Sequence, residues 1–124
     1  MTLNVNRINE QIKQIKLVSF LRENSIDIAM LQEHNVKHPK KIEFLNQFYH
    51  LILNKSILSK GGTLIAINKK LPHTIGSTYL HPTSQLTTAY LNVFNTKLYL
   101  VNVYAPSGKS KEKEREDSFD QELM

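Results

Sequence analysis

The sequence predicts a layered α/β domain, one mixed sheet with helices packed against it, and three observations predict it. The chain opens as strand, helix, strand. Beyond residue 48 the apolar period shortens from three or four residues to about two, which yields four further strand candidates. "IAML" and "TLIAI" are almost continuously apolar, as strands covered on both faces are.

"LNVN", residues 3–6, reads as a short first strand. From Ile8 the apolar residues Ile8, Ile12, Ile15, Val18 and Leu21 recur every three or four positions and predict an amphipathic helix that fades at "ENS", residues 23–25. "IDIAMLQE" follows as a strand. Such a unit sets its two strands parallel and brings the loops at their carboxyl ends to one side, so Asn4, Asn6 and Glu33 are expected to converge. Pro39 starts a second short helix, "PKKIEFLNQF". "YHLILN", "TLIAINKK", "TAYLNVF" and "KLYLVNVYAP" are then strands, the first two joined by a turn containing Gly61-Gly62 and the last two by "NTK" near residue 96. Pro106 and Gly108 end the sheet region. The interleaved charges of "KSKEKEREDSFDQELM" suit a solvated helix. Apolar residues on both faces of "TLIAI" and "LYLVNV" call for a covering layer that the predicted elements do not supply.

A length of 124 residues suits one domain spanning 1–124, and 40% hydrophobic with 22% charged residues is an ordinary globular composition. The net charge of +5 favours polyanionic partners, either nucleic acid or an acidic membrane face. No cysteine is present, which excludes disulfides and thiolate metal sites and suits a reducing, intracellular compartment. The opening is too polar for a signal peptide, and no apolar run approaches the roughly 20 residues of a membrane span.

Between Asn24 and Lys111 the carboxylates are Asp27, Glu33 and Glu43, and Glu33 stands where a strand delivers its side chain to a loop surface. One carboxylate can anchor Mg²⁺, which keeps waters or phosphate oxygens as its other ligands. A solvated or turn-capping glutamate fits the same position. Tyr104, at a strand exit before a proline, suits either a ligand contact or an ordinary boundary tyrosine. Asn4 and Asn6 could donate to a phosphate or simply end an exposed strand. His34 and His38 lie in a loop with no third zinc-type ligand nearby and are expected at the surface. Gly61-Gly62 lacks the lysine of a phosphate loop and reads as a turn.

In order along the chain, "LNVNRIN", "IDIAMLQEHN", "KGGTLIAINKKL" and "LYLVNVYAPSGKSKEKEREDSF" resemble the N-terminal half of an endonuclease/exonuclease/phosphatase domain, most of all that of LINE-type (non-LTR) retrotransposon endonucleases. The resemblance implies an α/β sandwich and a Mg²⁺-dependent phosphodiesterase that nicks DNA. Glu33 would hold the metal with Asn6 beside it, Asn4 would hold the scissile phosphate, and Tyr104 would support the transition state. Nuclear residence follows from the same analogy.

The sequence departs from that family's pattern as well. Its Asp-x-Asn motif and terminal Asp-His pair have no counterpart, because the aspartates read Asp27-Ile-Ala, Asp117-Ser-Phe and Asp120-Gln-Glu, and no histidine follows an aspartate. Loss of a general base costs about 10² to 10⁴ in rate, so negligible nuclease activity is expected of this polypeptide alone. A truncated endonuclease and a non-catalytic nucleic-acid-binding remnant both fit, and other phosphodiesterases or phosphatases of the superfamily share the motifs. Arg7 replaces a common glycine and would be strained by a positive φ. Ser118 beside Phe119 would thin the docking face of the last helix. A single sheet with one bare face is expected to self-associate or turn molten.

Overall fold

Residues 1–57 and 61–104 are described by a computed structural model of the chain. The expected strand exit at Pro106 and Gly108, the charged helix beyond it and the Ser118-Phe119 pair lie outside the described residues. Strand β1 (Thr2–Asn4), helix α1 (Gln11–Glu23) and strand β2 (Ile28–Gln32) open the fold. A 3₁₀ turn (Pro39–Ile42) then leads into helix α2 (Glu43–Phe48), followed by β3 (Tyr49–Asn54), β4 (Thr63–Asn68), β5 (Thr74–Leu80), β6 (Leu86–Val93) and β7 (Thr96–Val103). β1 and β2 are parallel, with Asn4 level with Gln32, as the strand–helix–strand opening predicts.

The strands form two sheets, where the sequence predicted one. The first is mixed, in the order β1-β2-β4-β3, and the second is the antiparallel β5-β6-β7. The physical reason lies at the end of β4. Asn68 accepts the Lys70 N–H on its side-chain oxygen at 3.0 Å and the Leu71 N–H on its carbonyl at 3.0 Å, a tight turn that takes the chain off the first sheet. The later strands therefore pair with one another and fold back onto the open face of β4. They include β5, which polar and small residues around Gly76 and Ser77 hid from the sequence pattern. The missing cover for "TLIAI" is thus supplied within the chain.

Two apolar cores result. Ala29, Leu31, Leu64 and Ala66 of the first sheet meet Leu17, Val18 and Leu21 of α1 and Leu45 of α2. On the other face Ile52, Ile65 and Ile67 meet Ala89, Leu91 and Leu100 of the second sheet. Each buried leucine, isoleucine or valine side chain among them contributes about 1.5–3 kcal/mol. The β6–β7 hairpin closes through Phe94 and Asn95, both with positive φ (49° and 65°), the two-residue turn whose twist suits a hairpin.

The inward face of α1 differs from the face the apolar spacing suggests. Ile12 and Ile15 are exposed, at 58% and 42%, while Gln14 is buried among Leu17, Val18 and Leu21. Gln14 earns that position by hydrogen bonding. Its amide nitrogen donates to the carbonyls of Ile8 and Lys41, both at 2.7 Å, and its oxygen accepts the Leu45 N–H at 3.2 Å, fixing α1 against α2. Ile8, read as helical, is buried ahead of the helix.

Leu17→Ala is accordingly expected to cost about 2–5 kcal/mol in urea denaturation. Ile12→Gln should stay within about 0.5 kcal/mol of the parent. Equal losses would contradict the burial described.

Candidate functional site

The loops after β1 and β2 lie side by side at one end of the sandwich. Val5, Arg7 and Ile8 donate their N–H groups to the carbonyls of Gln32 (2.9 Å), Glu33 (2.8 Å) and His34 (3.1 Å). Both loops use left-handed backbone without glycine, at Asn6 (φ 43°), Arg7 (71°), Glu33 (56°) and Asn35 (58°). Arg7 does occupy the positive φ at which its side chain costs energy.

Strand alternation explains what that backbone achieves. Ile28 and Met30 point to the second sheet, and so does Gln32, whose amide nitrogen donates to Asn102 Oδ1 at 2.7 Å. Continued extension would send Glu33 to the opposite, helix-covered face. The left-handed turn at Glu33 instead brings its carboxylate to the Tyr104 hydroxyl, which donates to Glu33 Oε1. Tyr104 itself is held by its N–H on the Gln85 carbonyl at 2.9 Å.

Asn4 stands level with Gln32 on the neighbouring strand and is 5% exposed. Its oxygen accepts the Asn6 N–H at 3.2 Å, while its amide nitrogen is buried with no hydrogen-bond partner among the described residues. Asn6 is half-buried, and its carbonyl receives the Lys13 ammonium at 2.7 Å. Of the residues singled out from the sequence, Glu33 and Tyr104 are thus in direct contact, Asn4 flanks them one register position away, and Asn6 lies on the adjoining loop.

His34 departs from its expected surface position and is fully buried, whereas His38 is exposed. His34 Nδ1 accepts the Val36 N–H at 2.8 Å and Nε2 meets the Asn54 carbonyl at 2.8 Å. The glycine turn makes room for it, since a Cβ at Gly62 would fall 2.2 Å from His34 Cε1. Gly62 is therefore a packing requirement as well as a turn, and a glycine pair with no phosphate-loop lysine was the available sign that something else needed the space. Gln32 and Asn102 went unread because an amide in an apolar strand does not announce its partner.

The donor set suits a hard divalent cation bound together with a phosphate. A glutamate has two oxygens, so it can accept the Tyr104 phenol and still ligate a cation, and the unmatched Asn4 N–H is a donor suited to an anionic oxygen. Among the described residues no three His, Asp or Glu side chains cluster as a self-sufficient metal cage. Magnesium does not need one when substrate oxygens complete its shell. No helix among the described residues is long and apolar enough to cross a membrane.

Burial holds the His34 pKa down from 6.5 to about 4, against the opposing pull of its backbone hydrogen bonds. The unfolded chain takes up this proton near pH 6.5 and the folded chain only near 4. Stability is therefore complete above pH 6.5 and falls on acidification through that window, by about 3 kcal/mol in all. Urea midpoints measured between pH 7.5 and 4 should show this fall, and His34→Gln should flatten it.

No family model and no curated protein matches the sequence. Solved structures do match. Truncated TDP2 of Caenorhabditis elegans superposes with a TM-score of 0.64 at 15% identity, covering 92% of this chain and 48% of that one. TDP2 of D. rerio, complexed with single strand DNA product, gives 0.61 at 18% identity over 94% and 50%. An AP endonuclease from Archaeoglobus fulgidus gives 0.62 at 22% identity over 98% and 48%. The chain spans about half the length of these structures, and at such identities the likeness establishes the fold. That fold is the α/β sandwich of endonuclease/exonuclease/phosphatase-type enzymes, over the half that the described residues occupy.

Proposed function

We propose that the chain carries half of the catalytic apparatus of a Mg²⁺-dependent phosphodiesterase acting on DNA, of the LINE-type endonuclease branch. The observation that carries this reading is the buried, unpartnered Asn4 amide beside the Glu33–Tyr104 pair. A buried donor left unmatched costs about 1–3 kcal/mol unless a ligand supplies its acceptor. In this reading Glu33 holds the cation with Asn6 near it, the Asn4 N–H receives a phosphate oxygen, and the Tyr104 hydroxyl steadies the carboxylate and the charge that develops on the phosphate. The bound cation supplies neutralisation of that charge. The net charge of +5 supports a polyanionic substrate, and the sequence segments described above support the retrotransposon branch.

The 124 residues contain no Asp-x-Asn and no Asp-His, so no acid–base histidine pair accompanies this half-site. Supercoiled plasmid with Mg²⁺ is therefore expected to stay intact with this polypeptide, while a short oligonucleotide binds in a Mg²⁺-dependent manner. Glu33→Ala should remove the Mg²⁺ dependence, and Asn4→Ala should weaken binding about 10-fold. Nicking that EDTA and Glu33→Ala both abolish would show the half-site to be sufficient. Binding indifferent to Mg²⁺ and to Glu33 would favour a non-catalytic nucleic-acid-binding module instead.

The outward face of the second sheet supports a second partner. Tyr79, Tyr90, Tyr99, Val101 and Val103 are 44–56% exposed there, with the Tyr90 and Tyr99 rings 4.6 Å apart between centroids. We propose association with a second copy through this face. Sedimentation should show mass rising with concentration, and Val101→Lys should return a monomer.

A further inference from the structure

We infer that His34 is the positioning residue for Glu33, a role that rests on the metal-ligand reading of Glu33 given above. A non-glycine residue in the left-handed region costs about 1–2 kcal/mol, and here Glu33 and Asn35 both occupy it, at φ 56° and 58°. Such backbone persists only where its surroundings over-determine it. Between these two residues lies one whose side chain is anchored to other parts of the fold.

The imidazole of His34 is held on three sides. Its Nδ1 accepts the Val36 N–H at 2.8 Å, so the ring proton resides on Nε2 and is donated to the Asn54 carbonyl at 2.8 Å. The bare backbone of Gly62 closes the third side. The linkage continues through Asn54, whose side-chain nitrogen donates to the carbonyls of His81 and Leu86, both at 3.0 Å. Leu86 adjoins Gln85, whose carbonyl holds the Tyr104 N–H. Glu33 and Tyr104 are therefore fastened to the same β5–β6 connection, Glu33 by way of His34 and Asn54 and Tyr104 by way of Gln85.

Without the ring's two hydrogen bonds the turn keeps its backbone bonds from Arg7 to the Glu33 carbonyl and from Ile8 to the His34 carbonyl but loses its side-chain anchor. Glu33 is then freer to relax toward extended backbone, where alternation turns its carboxylate to the helix side and away from Tyr104. His34 touches neither substrate nor cation in this account. It acts through the backbone, fixing where the carboxylate points, much as partners behind metal ligands commonly do.

The test compares His34→Leu, which fills the volume but makes neither bond, with His34→Gln, whose amide can both accept and donate. Free Mn²⁺, a paramagnetic substitute for Mg²⁺, is counted by electron paramagnetic resonance with the full 124-residue chain, alongside circular dichroism melts. Glu33→Ala should abolish site binding, His34→Leu should weaken it about 10- to 100-fold, and His34→Gln should recover most of the loss. A folded His34→Leu chain that binds Mn²⁺ like the parent overturns the inference and leaves the metal reading standing. Unchanged binding in Glu33→Ala overturns the metal reading itself. Should His34→Leu fail to fold, ¹⁵N spectra of the unmodified chain decide the matter. An Nε2–H tautomer whose signals move with Mg²⁺ ahead of the other histidines is expected, and an Nδ1–H tautomer or an unresponsive ring overturns the inference.

Discussion

The structure depends on one buried contact between amides, Gln32 to Asn102, which spans 70 residues of sequence and joins the two sheets. Asn102 is saturated by it. Its oxygen accepts from Gln32, and its nitrogen donates to the carbonyls of Leu31 and Leu64 at 3.0 and 2.7 Å. In a largely apolar seam such groups are costly if left unpaired, so the sheets favour the register in which they are satisfied. Sliding β7 by one residue would place Val101 or Val103 opposite Gln32 and strand the amide. The apolar residues of the seam supply most of the attraction, and the amides select the alignment.

That alignment is what makes the site. Glu33 follows Gln32 directly, and Tyr104 lies two residues beyond Asn102, just past the end of β7. Fixing Gln32 on Asn102 therefore brings the carboxylate and the phenol to the same end of the sandwich, and the left-handed turn at Glu33 covers the remaining distance. Each of the Gln-Glu and Asn-x-Tyr pairs combines one residue that docks the sheets with one that takes part in the Glu33–Tyr104 contact. A second polar cluster repeats the arrangement nearby, where Thr63 and Thr87 share a hydrogen bond of 2.7 Å and Thr63 donates to the Ser84 carbonyl at 3.1 Å.

Much of this was legible in the sequence, for identifiable reasons. The parallel β1–β2 pair, the short second helix and β3, β4, β6 and β7 follow from hydrophobic period and breakers. The order of four polar-ended segments carried the fold type. Three features were not legible. The face of α1 was misread because Gln14, a polar residue, occupies a core position and is stabilised by three backbone groups that only the fold brings to it. The second sheet was missed because a turn at Asn68 decides whether the next strand extends a sheet or covers it, and hydrophobic pattern does not encode that choice. His34 was placed at the surface because histidines in loops usually are, and its cavity is created by a glycine 28 residues away in the chain.

If the site binds a ligand as proposed, placement at the seam couples that binding to folding. Asn4 ends one strand of the first sheet, Glu33 directly follows another, and Tyr104 directly follows a strand of the second, so the three come together only when the sheets are docked. A ligand that binds the docked state alone stabilises it by RT ln(1 + [L]/Kd), about 2.7 kcal/mol at a hundredfold excess over Kd. For a domain whose total stability is of the order of 5–15 kcal/mol, that is a substantial share. The left-handed residues of the two loops and the buried Asn4 donor pull the other way, since each costs energy in the ligand-free chain. Their cost is offset by the apolar cores together with groups such as the Gln32–Asn102 pair and the His34 ring. The half of the fold described here thus holds these side chains in a conformation that its own packing sustains, and under the proposed function an anionic ligand with a cation would reinforce it.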